Sequence, residues 1–478
     1  MGIDVGTKNV KAVILSEEGE VVERASAPIY DLVTRPREGF VERDPEGVWS
    51  RVKEALGKLK NRGKVEGVCV DSTSGTFLTL DKDGEPIHPF IMYNDSRAVE
   101  EAEELRRVSK AAREFEKYLP INSRLVLPKL MWLKKNLPEF GKAEQVLHES
   151  DYLVYRLSGA VATSANTAGK AHALLDRPGY LVEAYQDSGI PVEIMPPIRP
   201  IGSVVGHIST EGERETGIPS GTPIVNGVTD ASAGDITSGA LEAGQASVTI
   251  GTSLTVHVVV DRLVPDLHRR FYYKLYVNDL YLAGGFTNAG TTAMDSLSRV
   301  LGSSLDELSS MASKIPPGSD GLLVCNELYG VRVPKDYPNV RGFIIGLSER
   351  NFTAGHLFRS ILEASGYTLK LLLSAVEETT KTKIHDLRIS GGGSRNNLFM
   401  QILSDIVGLP VRAIEEPDSA VGSALLAAWG AGELKLREIV DKSVKVRRVF
   451  NPNPENVKRY GKLLEKYRRI VETLAEIL

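Results

Sequence analysis

The sequence predicts an α/β protein of two similarly built domains, and three observations carry that expectation. The chain has 478 residues, and a single hydrophobic core stops growing at about 250–300 residues, so more than one core is expected. Short runs of β-branched, buried-type residues alternate with longer stretches of helical periodicity. A strand running into a glycine-threonine turn also occurs twice, at Gly2-Ile3-Asp4-Val5-Gly6-Thr7 and at Thr249-Ile250-Gly251-Thr252-Ser253.

Taken in chain order, Val10 to Leu15 and Glu20 to Ala25 read as a hairpin closed by Ser16-Glu17-Glu18-Gly19. Asp44-Pro45-Glu46 supplies an N-cap, a proline at the first helical position and an early acid, and Val48, Trp49, Val52, Ala55, Leu56 and Leu59 follow at helical spacing. Val65 to Asp71 and Thr76 to Leu80 read as strands. Asp81-Lys82-Asp83-Gly84 is a plain turn, because the later acid ligands of a calcium loop are missing. Residues 98 to 140 read as charged, solvated helices. The stretch from Pro191 to Pro223 is dense in proline and glycine and precedes a buried-type strand over Pro223 to Val228, which places a domain boundary there, giving domains of 1–224 and 225–478. Beyond it the pattern of the first half returns. Thr255 to Val260 is a strand, Tyr272 to Gly284 is hairpin-like, Ile384 to Ser390 is a strand that feeds three glycines, Asn397 to Val407 is a helix, and a last amphipathic helix runs from about Pro454 to Leu478.

Composition excludes several classes. Apolar residues make up 42% and charged residues 25% of the chain, as in folded globular proteins. A net charge of −4 without a strongly basic tract gives no reason to expect nucleic acid, so small molecules are the expected partners. Cys69 and Cys325 each lie in an apolar run, which suits buried thiols in a reducing, cytoplasmic setting. No apolar run approaches the roughly 18 residues of a membrane span, and Asp4 interrupts any signal-peptide reading, so no membrane partner is expected.

The two glycine-threonine turns have the chemistry of phosphate clamps. Their glycines, Gly6 and Gly251, leave room for a phosphate at the backbone, and Thr7, Thr252 and Ser253 place hydroxyls beside the turn N–H groups. Asp4 suits a hydrated Mg²⁺, which keeps most of its waters and takes few carboxylates. Asp230, in Gly227-Val228-Thr229-Asp230-Ala231-Ser232-Ala233-Gly234, follows a buried strand at the edge where α/β sheets open a crevice. It reads either as an N-cap or as a general base that takes a proton from an attacking hydroxyl. Gly391-Gly392-Gly393-Ser394 opens a helix and offers a flat surface for a base or ribose, or is simply a tight turn. Asp71-Ser72-Thr73-Ser74-Gly75-Thr76 and Met92-Tyr93-Asn94-Asp95-Ser96-Arg97 are polar clusters that fit a polyhydroxylated ligand, or Ser/Thr turns and a structural ion pair. Neither a dinucleotide fingerprint nor a complete P-loop box is present. The eight histidines show no zinc spacing, and no Gly-x-Ser-x-Gly elbow supports a hydrolase.

In order along the chain, Gly2 to Thr7, Gly39 to Pro45, Asn94-Asp95-Ser96-Arg97, Asp151-Tyr152-Leu153, Gly227 to Gly234, Ile250 to Ser253 and Ser390 to Asn396 resemble the FGGY family of carbohydrate kinases. The resemblance implies two actin-like, ribonuclease H-like ATPase domains with a cleft between them, and ATP- and Mg²⁺-dependent phosphorylation of a sugar hydroxyl. It implies Asp230 as catalytic base, with Asp4 and Asp230 as the carboxylates at the metal. Gly6, Thr7, Lys11, Gly251, Thr252 and Ser253 would hold the nucleotide phosphates, and Gly392, Gly393 and Asn397 its adenosine. Where many members carry a Gly-Gln segment with Met-His, this chain has Asp71 to Thr76, and Tyr93 stands in place of a Trp. That departure resembles the D-ribulokinase-like branch, so a ketopentose, D-ribulose first, is the expected substrate, with Ser72, Thr73, Ser74 and Asp95 recognising its hydroxyls. Xylulose, ribitol or glycerol are the alternatives, and a homodimer is open as the assembly. A catalytically idle actin-like sensor or assembly factor is the rival reading, disfavoured by the presence of both Asp4 and Asp230.

Overall fold

A computed structural model, describing residues 1–335, 337–415, 418–432 and 434–477, shows how the opening strand organises its half of the chain. Gly2–Val5 pairs antiparallel with Asn9–Leu15, which pairs antiparallel with Val21–Pro28. On its other side Gly2–Val5 runs parallel to Val68–Ser72, followed by the parallel strand Pro223–Val225 and the antiparallel edge Val204–His207. The helix Pro45–Gly57 buries Val48, Trp49, Val52, Ala55 and Leu56 in the same core as Ile3, Val5 and Val70. It starts where the sequence places it, because both carboxylate oxygens of Asp44 accept the free N–H groups of Glu46 and Gly47.

The second sheet repeats this order of pairings. Gln245–Ile250 pairs antiparallel with Leu254–Val260, which pairs with Tyr281–Thr287, and on its other side runs parallel to Asp386–Ser390. The parallel strand Val411–Ile414 and the antiparallel edge Val446–Phe450 complete it, with Tyr272–Leu275 added beyond Tyr281–Thr287. The duplication anticipated from the sequence is therefore one of strand topology. The long helix Ala354–Thr380 is buried along most of its length. It is tied to the last helix, Pro454–Ile477, where Tyr460 donates to Glu363 Oε1 at 2.7 Å and Arg359 pairs with the same carboxylate. Leu478 lies outside the described residues.

The chain forms two compact units, the first made of Met1–Gly239, Lys274–Asp279 and Asp418–Ser443, the second of Ala240–Tyr273, Leu280–Pro417 and Val444–Leu478. The expected division between residues 224 and 225 falls inside the first unit. That unit takes in the helix Asp230–Ser238 and regains the chain at Ser419–Ala431, a helix of small residues. Their smallness permits close packing. A Cβ on Gly2 would stand 1.9 Å from the Ala420 carbonyl oxygen, and one on Gly422 would stand 2.1 Å from that of Ala233. The helix thus lies directly against the first strand and against the helix that begins at Asp230.

The strand expected over Pro223 to Val228 stops at Val225. Just beyond it the side-chain amide of Asn226 donates to the carbonyls of Thr163, Arg199 and Pro200, while its backbone N–H donates to the Ser203 carbonyl at 2.8 Å. Among the described residues no helix is long and apolar enough to cross a membrane.

Candidate active site

Parallel pairing of Gly2–Val5 with Val68–Ser72 sets Asp4 opposite Asp71. Their exposures are 3% and 0%, and the two carboxyl groups lie against each other. The Ser423 hydroxyl donates to Asp71 Oδ2, while Oδ1 of Asp4 and Oδ1 of Asp71 have no hydrogen-bond partner in the protein. Burial raises the pKa of Asp4, opposed by Lys11. Burial and then the Asp4 charge push Asp71 well above the usual carboxylate range. Lys11 Nζ stands 3.5 Å from both Asp4 and Asp418; its burial opposes the charge, but those two carboxylates outweigh it and raise its pKa.

Two abutting carboxylates with unpartnered, buried oxygens suit a hydrated divalent cation, which needs only one or two carboxylates beside its waters. Among the described residues no group of three or more His, Cys, Asp or Glu side chains is arranged to hold a metal ion. The matching register position of the second sheet carries no charge. There Thr249 stands opposite Ser390 and their hydroxyls are 3.2 Å apart.

Asp230 is the first residue of its helix, not the cap. Thr229 is the N-cap, and Asp230 Oδ1 accepts the N–H of Ala231 at 2.7 Å. The carboxylate is partly exposed. Desolvation first and the negative charge of Asp4 second move its pKa up to about 6, against the pull of Lys274 and Lys170. The helix start is held by Asn166, which is 1% exposed. Asn166 Oδ1 accepts from Thr229 N at 3.0 Å, and its amide donates to Ser232 Oγ at 3.1 Å and to the Leu275 carbonyl at 2.6 Å. Asn166, Lys170 and Asp71 carry no local sequence signal of this kind, because their partners lie 63–352 residues away in the chain and are joined to them only by tertiary packing.

The residues expected at the sugar divide in two. Ser72 Oγ accepts the Ser150 N–H at 3.0 Å and is 2% exposed, and the Thr73 hydroxyl is 2.7 Å from that of Thr76. Ser74 is partly exposed and its carbonyl accepts Lys170 Nζ at 2.8 Å. Asp95 is 0% exposed; its oxygens are held by the Val41 N–H at 2.6 Å and by Arg97, which also pairs with Glu42. Asp95 is thus part of a buried ion pair that fixes the Asn94 to Arg97 turn.

In the first unit Thr7 is exposed beside the turn closed by Gly6 N–H to the Asn9 carbonyl at 3.1 Å. In the second, Thr252 is exposed, Ser253 partly so, and the Gly251 N–H donates to the Ser253 carbonyl at 2.9 Å. A Cβ on Gly251 would meet only that carbonyl oxygen, at 3.9 Å, so the fold itself leaves open the space its missing side chain vacates. The three glycines that follow Ser390 differ from one another. Gly391 has φ +84, and a Cβ on Gly393 would fall 2.5 Å from Ile250 Cγ2, so backbone geometry and packing account for both. Gly392 is exposed, with nothing within 4 Å of a Cβ, and Asn397 is exposed at the first position of its helix.

Residues 1–237 match the N-terminal domain, and residues 246–431 the C-terminal domain, of the FGGY family of carbohydrate kinases. The chain belongs to that family. It is a phosphotransferase that acts on a hydroxyl of a carbohydrate. This FGGY kinase is 27% identical to a xylulose kinase of Bacillus subtilis over 98% of this chain and 96% of the relative. It is 25% identical to a gluconokinase of the same organism over 97% of this chain and 94% of the relative. Its fold matches the crystal structure of a xylulose kinase from Rhodospirillum rubrum with TM-score 0.92 and 26% identity, covering 100% of this chain and 99% of the other.

Proposed function

We propose that this FGGY kinase transfers the γ-phosphoryl group of ATP to a hydroxyl of a small open-chain sugar, with Asp230 as general base. The observation that carries the reading is Asp230 itself: a partly exposed carboxylate at a helix N-terminus, moved up to about 6 and so matched to accepting a proton near neutral pH. The sugar hydroxyl gives its proton to Asp230 as its oxygen bonds to the γ-phosphorus. The bond from that phosphorus to the β–γ bridging oxygen breaks, and ADP leaves with the electron pair. Asp4 and Asp71 are the groups that would hold Mg²⁺, whose chemistry is to neutralise charge on the phosphate oxygens. Lys11, the Gly6-Thr7 turn and the turn of Gly251, Thr252 and Ser253 would bind the phosphates through N–H and hydroxyl donors. Gly392 and Asn397 would face the adenosine, with Gly393 supporting that surface by its packing on Ile250.

For the acceptor, the relatives' names, a xylulose kinase and a gluconokinase, support a short carbon chain bearing a hydroxyl on nearly every carbon. Among ketopentoses they favour xylulose ahead of ribulose. Release of ADP, followed in a coupled assay with each of xylulose, ribulose, ribitol, glycerol and gluconate, tests the reading. Sugar-dependent ADP release is expected with at least one of them. A rate that no sugar raises above that of water as acceptor would contradict it.

A further inference from the structure

The register that sets Asp4 opposite Asp71 also sets Lys11 opposite Asp4, so the three side chains form one row across three neighbouring strands, on a single face of the sheet. The helix Ser419–Ala431 lies over that face. It meets Gly2, two residues before Asp4 and on the same side of the strand, where a Cβ would strike the Ala420 carbonyl. Its Ser423 hydroxyl donates to Asp71, and its N-cap residue, Asp418, faces Lys11. Each end of the row is thus attended by one side chain of this helix.

Asp418 differs from the two carboxylates in the row because both of its oxygens are engaged. Oδ2 takes Arg24 at 3.0 Å, and Oδ1 accepts the Ala420 N–H at 3.3 Å while facing Lys11 Nζ at 3.5 Å. Asp4 Oδ1 and Asp71 Oδ1 have no partner in the protein, so a divalent cation would find its free ligand atoms there and not at Asp418. Lys11 stands between these two kinds of carboxylate. Its Nζ is also 3.5 Å from Asp4 Oδ2, whereas charge-assisted N–H···O contacts close to about 2.7–2.9 Å. The ammonium is drawn toward two carboxylates and has closed on neither. Its side chain is 42% exposed, which leaves it room to move.

An ammonium that closed on Asp4 would compete with the cation for one of the few carboxylate oxygens that such an ion takes. Without the charge of Asp418, Asp4 is the carboxylate left at ion-pair distance from Lys11 among the described residues. We infer that Asp418 is a positioning residue: by sharing Lys11 with Asp4 it holds the ammonium off that carboxylate and keeps Asp4 open to a divalent cation. Arg24 and the helix cap serve the same end, since they fix the Asp418 carboxylate in the orientation that faces Lys11. The inference rests on the reading of Asp4 as a cation-holding group.

The test measures Mn²⁺ affinity by paramagnetic resonance on the full chain, without nucleotide, in wild type, Asp418→Asn, Lys11→Met and the double variant. Asparagine also caps a helix, and any residual defect of the cap would act equally with and without Lys11. Asp418→Asn is expected to weaken Mn²⁺ binding about three- to fivefold while Lys11 is present, the scale of a half-exposed ion pair, and by clearly less, about twofold or under, where Lys11 is already Met. An equal loss in both backgrounds, or no loss while Lys11 is present, would overturn the inference and leave Asp4 as a cation group. Asp4→Asn, titrated beside them, separates the two claims. Mn²⁺ affinity that is absent in wild type, or that Asp4→Asn leaves unchanged, would bring down the reading of Asp4 and the inference with it.

Discussion

Asp4 and Asp71 stand opposite each other on neighbouring parallel strands, both buried, each with one oxygen that no group in the protein satisfies. In the repeat of this topology the same register holds Thr249 and Ser390, whose hydroxyls satisfy each other. Like charges brought together in a low dielectric are unfavourable unless a cation or a proton is shared between them. The duplicated fold therefore keeps its electrostatic cost in one copy only.

Replacing Asp71 by Asn removes one of the two like charges and keeps the shape. The melting temperature should hold or rise, while affinity for Mn²⁺, titrated by its paramagnetic resonance signal, should fall about tenfold. Unchanged Mn²⁺ binding would leave Asp71 with a purely structural part.

The pH profile follows from Asp230. Its carboxylate is raised from 3.8 to about 6 by burial and by Asp4, so the proton-accepting form is complete above that value and is lost as the pH falls through it. The kcat/KM of the enzyme should drop about tenfold per pH unit below 6. Lys274 and Lys170 pull in the opposite direction, so Lys274→Met should move this acidic limb to higher pH. A profile flat down to pH 5 would refute the assignment.

Two neighbouring glycines should respond differently to alanine. Gly393→Ala forces a methyl against Ile250, and overpacking of this kind costs about 1–3 kcal/mol, visible in a urea midpoint. Gly392→Ala meets nothing in the protein, so stability should hold while the KM for ATP rises several-fold. Equal destabilisation by both would remove the distinction.

Arg43 and Glu149 form an ion pair 2.8 Å long with both side chains 0% exposed. Arg43→Met strands a buried carboxylate and should cost about 3–5 kcal/mol in urea unfolding, most of it recovered when Glu149→Leu is added. A single variant as stable as wild type would show the pair to be energetically idle.

How far the sequence reached depends on how local the determinant is. The helix at Asp44-Pro45 and the helix Asn397–Val407 were legible because their caps and apolar spacing lie within one or two turns. The glycine-threonine turns were legible for the same reason. The pairing of Asp4 with Asp71 depends on the register of two strands separated by a hairpin and a helix, which no local pattern specifies. The side-chain amide of Asn226 finds carbonyls as far off as Thr163, and the return of Ser419–Ala431 to the first strand rests on small residues whose partners lie at the far end of the chain. Lys170 reaches the Ser74 carbonyl across a sequence separation of 96, which is why its charge beside the base emerges only from the fold.

The kinase account turns most directly on Asp230→Asn, measured by single-turnover transfer of phosphoryl from ATP to sugar at saturating Mg²⁺. A loss of about a hundredfold or more, with the melting temperature and ATP affinity held, is the result expected of a missing general base. A variant that transfers phosphoryl within a few-fold of the wild-type rate would contradict it.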